Sequence, residues 1–163
     1  MTKSLKNLIK DCKFDFVNED ITEKNFPKQN IRGKVELLHF DKEIESDEAI
    51  ERMNKQGYEP ANIYELLEYA KDGWNKEDAV VALGSVWRVF FGYRYVPCLW
   101  GGSGGRRLLL RWIGGAWDPR CRFAVVRKSD TNSLKSSEKT SDTLSLEVTV
   151  GNKTYAGELK LKT

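Results

Sequence analysis

His39 is the only histidine among 163 residues, so a histidine-based metal site, a Ser-His-Asp triad or a Cys-His dyad has one imidazole to draw on. It sits in an apolar segment, KVELLHF, where a structural or surface role is the expected reading. Cysteine is nearly as sparse: Cys12, Cys98 and Cys121 are odd in number and too far apart for a CxxC metal or redox motif. No disulfide scaffold is expected, and a reduced, cytoplasmic setting is the simplest reading. Long apolar runs are missing too. No stretch reaches 18 apolar residues, and Lys3, Lys6 and Lys10 are not followed by the apolar core of a signal peptide. Neither membrane spanning, secretion nor a membrane partner is expected.

The last scarcity is local. Between Ala82 and Lys128 there is one acidic residue, Asp118, against nine basic ones. That stretch also holds eight of the ten arginines, eight of the thirteen glycines and four of the five tryptophans. The whole chain carries only +3, so the rest of it is net negative and the charge is segregated along the sequence. Hydrophobic residues make up 40% and charged residues 31%, a globular balance. The length suits one ordinary domain, which removes about 70% of its unfolded surface from water.

Ser4 precedes Leu5, Leu8, Ile9 and Cys12, whose spacing predicts a short amphipathic helix docked on its own domain. Asp15 to Ile31 is mixed and polar and reads as a loop around Pro27. Lys34 to Phe40 reads as a strand. Two helices follow. Ser46 is the expected cap of the first, with Asp47 and Glu48 in its first turn, Ala49, Ile50 and Met53 on its apolar face and Gly57 as its stop. Asn62 and Glu65 form a capping box for the second, which presents Ile63, Leu66, Leu67 and Ala70 and ends at Gly73. From Ala79 the period becomes that of strands: AVVAL, VWRVFF, YVPCLW, RRLLLRW and RFAVVRK, with turns at Gly92-Tyr93, GGSGG and Gly114-Gly115. Pro97 predicts that YVPCLW is an edge strand or is bulged. The polar run from Ser129 to Asp142 reads as a mobile linker. LSLEVTV and KTYAGELKL, joined by Gly151-Asn152, read as a hairpin that must dock on the domain or pair with a second copy, a route to a homo-oligomer.

One strand, two successive helices and then several antiparallel strands ending in CRFAVVRK is an order that resembles the C-type-lectin-like fold. In the branch of formylglycine-generating enzymes and of the variable proteins of diversity-generating retroelements, a segment like G-x-R-x-P-T-x-x-E-W opens the second helix and one like G-F-R ends the domain. Gly57-Tyr58-Glu59-Pro60-Ala61-Asn62 running into Glu65-Leu66-Leu67, and Cys121-Arg122-Phe123, are the matching segments, with Glu59, Asn62 and Cys121 as departures. The resemblance implies an α+β domain with two helices packed on a small antiparallel sheet, and hydrogen bonding between the strands near Val35 to Phe40 and Phe123 to Arg127. It also implies that the connections between Phe91 and Arg120 bear the ligand. The expected organisation is a helix and loop over 1–33, the C-type-lectin-like domain over 34–128, a linker over 129–143 and an added β-hairpin over 144–163.

The chemistry of that family does not transfer residue by residue. Formylglycine-generating enzymes rely on two closely spaced cysteines and the sulfoxide synthases on an iron held by several histidines, whereas Cys98 and Cys121 are widely spaced and His39 stands alone. Glu59-Pro60-Ala61-Asn62 and Trp74-Asn75-Lys76 break the two lectin calcium motifs. The GGSGG loop is followed by a strand pattern rather than by Gly-Lys-Ser/Thr and a helix, so it reads as a flexible connection that lets Arg106 and Arg107 reach an anion. Trp87 and Trp112 read as core, while Trp100 and Trp117 border glycine turns and read as partly exposed. The resulting expectation is a non-enzymatic module without metal or cofactor. It would bind a macromolecule, a protein first, through an exposed face of Trp100, Arg106, Arg107, Trp117 and Arg120. Nucleic acid is the alternative for the same basic, aromatic surface. An enzyme assembled from distant groups such as Glu65, Asp78 and Asp118 is the third reading.

Overall fold

The computed structural model describes residues 3–128 and the backbone of 149–150 and 153–154. Met1–Arg127 forms one compact unit and Lys128–Thr163 another. In the first, α1 (Leu5–Cys12) starts at Ser4, whose hydroxyl accepts from Asn7 N–H as the sequence predicts. Strands β1 (Phe16–Val17) and β2 (Glu36–Leu38) precede α2 (Ser46–Lys55), β3 (Tyr58–Pro60) and α3 (Ile63–Asp72). Five strands follow: β4 (Ala79–Val81), β5 (Trp87–Arg88), β6 (Arg94–Trp100), β7 (Arg107–Trp112) and β8 (Cys121–Arg127). The helices and one eight-stranded, mostly antiparallel sheet make the unit α+β.

The sheet runs β1-β7-β6-β4-β8-β2, with β3 on β8 and β5 on β6. Expected strand partners meet: Glu36, Leu37 and Leu38 pair antiparallel with Val125, Ala124 and Phe123. The segment read as a loop supplies β1, whose Phe16 and Val17 pair parallel with Arg107 and Leu108. Strand β6 is interior, not an edge, and Pro97 is buried within it. The Pro97 carbonyl accepts from Ala82 N–H on the β4 side, and the nitrogen of a strand residue faces the same way as its carbonyl. The missing donor therefore costs only the reciprocal bond of the Ala82–Pro97 pair, one residue past the end of β4 at Val81.

Period-two alternation buries both faces of the sheet. Leu99, Leu108, Val80, Ala82 and Ala124 pack with α1 and α3 through Leu5, Leu8, Leu66 and Leu67. Val81, Val96, Cys98, Phe123 and Val125 face the other way, onto Ala49 and Met53 of α2 and onto Trp117. Helix α3 opens on the predicted capping box: Glu65 N–H donates to Asn62 Oδ1 at 2.9 Å and Asn62 N–H to Glu65 Oε1 at 2.8 Å. Helix α2 departs from expectation. Its N-cap is Glu45, because the Ser46 hydroxyl is engaged elsewhere, accepting from Trp117 Nε1 at 2.8 Å and donating to the Ile113 carbonyl at 3.2 Å.

In the second unit, β9 (Thr149–Val150) and β10 (Lys153–Thr154) pair antiparallel, Val150 opposite Lys153. The expected linker at 129–143, the rest of the hairpin and its role in association lie outside the described residues. Among the described residues no helix is long and apolar enough to cross a membrane.

The Glu65 carboxylate is fully buried, and the polar groups around it carry the loop before β2. Besides Asn62 it accepts from Arg32 N–H at 2.7 Å, Nε at 3.0 Å and Nη2 at 2.9 Å, while Arg32 Nη1 reaches Glu59 at 2.7 Å. Removing one partner of a buried ion pair strands the other charge in a low-dielectric interior. Arg32→Ala is therefore expected to cost about 3 kcal/mol in urea denaturation, and Arg32→Lys, which keeps the charge but not the fork, an intermediate amount.

Candidate functional site

The end of the sheet where β6 stops and β4 and β8 begin carries a cleft of about 560 Å³. Trp100 and Gly101 close one side, and the connection before β4, with Glu77 and Asp78, lies against them. That connection approaches so closely that a Cβ on Gly101 would strike the Lys76 carbonyl, which is why glycine stands at the end of β6. Trp74 Nε1 donates to the Asp78 carbonyl at 3.0 Å and fixes its course. His39 and Asp41, just past β2, and Asp118 to Arg122, entering β8, form the opposite wall.

Arg111 joins the cleft to the sheet. Its guanidinium lies over the rings of Trp100, 5.6 Å from the centroid, and Trp117, at 5.9 Å. Cross-strand pairing explains the grouping: Trp100 lies opposite Arg107, Cys98 opposite Leu109 and Val96 opposite Arg111, so the three β7 residues share the Trp100 face. Arg107 is half-buried, with its guanidinium over the Gly104 backbone and its Nε without a hydrogen-bond partner among the described residues. On the far wall, Arg120 Nε and Nη2 donate to Asp118 at 3.0 and 3.1 Å. That contact with Arg120 holds the Asp118 carboxyl down at about 2, so the pair stays ionised until pH falls to that value. Arg122 Nε stands 3.4 Å from Asp78 Oδ1, and His39 Nε2 lies 2.7 Å from the Pro119 carbonyl, which can only accept, so Nε2 carries a proton.

The five residues expected to form one exposed cluster do not. Trp100, Arg107 and Arg120 are on the cleft side, but Trp117 is 3% exposed, locked by Ser46, by an edge-on contact with Phe123 and by mutual backbone bonds with Ile44. Arg106 belongs to the helical side. Its Nε donates to the Cys12 carbonyl at 3.0 Å and its Nη2 to the Ala70 carbonyl at 2.8 Å, and it lies over the Trp74 ring at 5.0 Å. Both carbonyls are near helix C-termini, where a cation offsets the dipole, so Arg106 is a clamp and not a free anion receptor. Trp112, expected in the core, is 52% exposed. Of the three carboxylates considered together, Asp78 and Asp118 line the cleft, while Glu65 is held by Arg32 elsewhere. Sequence reasoning missed Arg111, although its spacing of four from Arg107 in a strand puts both on one face.

The thiols do not form a reactive pair. Val81 pairs with Cys98 on one side and Ala79 with Cys121 on the other, so the two cysteines flank β4. Two strand spacings are about 9.5 Å, beyond the reach of a disulfide without backbone movement. Burial pushes the Cys98 thiol up to about 12 and Cys12 up to about 11, and raises Cys121 as well. Among the described residues no group of three or more His, Cys, Asp and Glu side chains is placed to hold a metal ion. The chain matches no family model, no curated protein and no solved structure.

A raised thiol pKa means that thiolate forms only as pH climbs toward that value, leaving about one Cys12 in a thousand ionised at pH 8. Ellman's reagent at pH 8 should therefore find almost no thiol in the native protein and all of Cys12, Cys98 and Cys121 in guanidinium. The buried and exposed halves of the expected cluster should also separate in melting experiments. Trp117→Ala is expected to cost about 3–5 kcal/mol, and Arg120→Ala no more than about 0.5 kcal/mol.

Proposed function

We propose that this chain is a non-enzymatic, C-type-lectin-like binding module that recognises a protein through the cleft and the adjoining β6–β7 face, using Trp100, Arg107, Arg111 and Arg120. The pairing of β2 with β8, closing the first strand of the resembled domain on its last, supports the fold assignment. The observation that carries the choice of partner is the mixed charge of the cleft. Arg111, Arg120 and Arg122 share it with Asp41, Glu77, Asp78 and Asp118, so a polyanion entering there would meet four carboxylates against three guanidiniums. A polypeptide can answer both signs, and a partly buried tryptophan beside arginine is the composition of a protein hot spot. Thiol pKa values raised by burial fit binding better than nucleophilic catalysis by a cysteine. The free, buried thiols also fit a reducing, cytoplasmic setting.

Peptide-display selection against the folded protein tests this reading. Ligands selected on the wild type should weaken by about 2 kcal/mol or more on Trp100→Ala or Arg111→Ala, measured below the melting temperature of each variant. Selection of no peptide sensitive to either substitution would overturn the proposal. So would capture of single-stranded oligonucleotides by this face, with affinity falling on a log–log salt plot by about 0.7 per phosphate.

A further inference from the structure

At the other end of β6, away from the cleft, the β5–β6 hairpin ends in an exposed aromatic apex. Phe90 is 81% and Phe91 86% exposed, and their ring centroids lie 4.6 Å apart. The turn is closed by Gly92 N–H donating to the Val89 carbonyl, and its third residue, Phe91, has φ 70°, a region where glycine is favoured and a bulky side chain is strained. One step below the apex are Tyr93 and Trp112, about half exposed, with ring centroids 6.5 Å apart. Arg88 and Arg94 stand directly opposite each other across the two strands, like charges in a position that repels. Among the described residues neither guanidinium meets a carboxylate.

We propose that this hairpin is a membrane-surface anchor, inserting Phe90 and Phe91 among acyl chains while Arg88 and Arg94 bind the headgroups of anionic lipid. The order along the protrusion carries the argument: apolar rings at the apex, amphipathic Tyr93 and Trp112 next, unpaired cations flanking them. That is the depth order of a lipid interface, with chains inside, aromatic belt and anionic headgroups outside. The expectation of no membrane partner rested on the lack of a spanning segment, which does not bear on surface docking. Other occupants fit less well. A second copy would offer the acidic α2, but Glu48 is already paired with Lys42 and Arg52 and Glu51 with Lys55. The chain after Ser129 has as many basic as acidic residues and so no charge complementarity. Single-stranded nucleic acid stacks successive bases nearly parallel, whereas the two Phe rings are inclined at 57°.

The test is flotation of the full chain with vesicles of phosphatidylcholine alone or with about 30% phosphatidylserine, with a thymidine oligonucleotide as a separate probe. Wild type should partition onto the anionic vesicles about tenfold or more in preference to neutral ones, and less so at high salt. Phe90→Ser/Phe91→Gly should cut this about tenfold or more, with no loss of melting temperature because glycine relieves the strained turn. Arg88→Gln/Arg94→Gln should abolish the preference for anionic lipid. Failure to float, or flotation indifferent to the Phe pair, overturns the proposal. Oligonucleotide binding that the Phe pair abolishes, without flotation, replaces it with a nucleic-acid site.

Discussion

Strand β8 is confined on every side, and the rest of the unit is arranged around it. Val125 pairs with Glu36 of β2 and with Pro60 of β3, so those strands take opposite edges, and β4 joins Cys121 to Phe123. Its two faces look into two cores, Ala124 toward α1 and α3 and Phe123 and Val125 toward α2. A strand buried on both faces and paired on both edges has no freedom of register, because a slip of one residue would exchange the two cores. The cleft lies at the entry to this strand, between Cys121 and Arg122 and the start of β4. Its walls therefore inherit their positions from the most constrained element of the molecule.

The arginines divide by what surrounds them. Arg32 and Arg106 turn inward and satisfy, respectively, a buried carboxylate and two carbonyls near helix ends, where each holds remote segments together. Arg111 lies between two indoles at the mouth of the cleft, and Arg88 and Arg94 face each other on the hairpin. Guanidinium suits all these settings because it stays charged, forks and stacks. Density of arginine along a sequence is thus a poor measure of positive surface. Arg106 and Arg107 are adjacent in the chain, yet Arg106 serves the helical side and Arg107 the cleft side.

Much of the architecture was legible because it is periodic or local. Alternation in 107–112 and 121–127, the Asn62–Glu65 capping box and the left-handed Gly57 depend on residues close in sequence. The errors share a cause. Ser46 looks like a cap until Trp117, 71 residues later, claims its hydroxyl. Trp117 reads as a border residue of a glycine turn until Ile44 and Phe123 enclose it. Pro97 suggests an edge unless one knows that β4 stops at Val81. The cleft itself was only partly foreseen, since His39, Asp78 and Arg122 come from three separated segments that pairing across β4 and β8 brings together.

The Arg106 clamp bears on how the chain comes off the ribosome. Its bond to Cys12 links residues 94 positions apart. Helix α1, with Leu5 and Leu8 on its apolar side, is made well before the cation that fastens its C-terminus and the strand β7 that receives β1. At about 5–20 residues per second this interval is about 5 to 20 s. During it this helix has neither its partner sheet nor its clamp, and the nascent chain offers a short apolar stripe to any chaperone waiting at the exit tunnel.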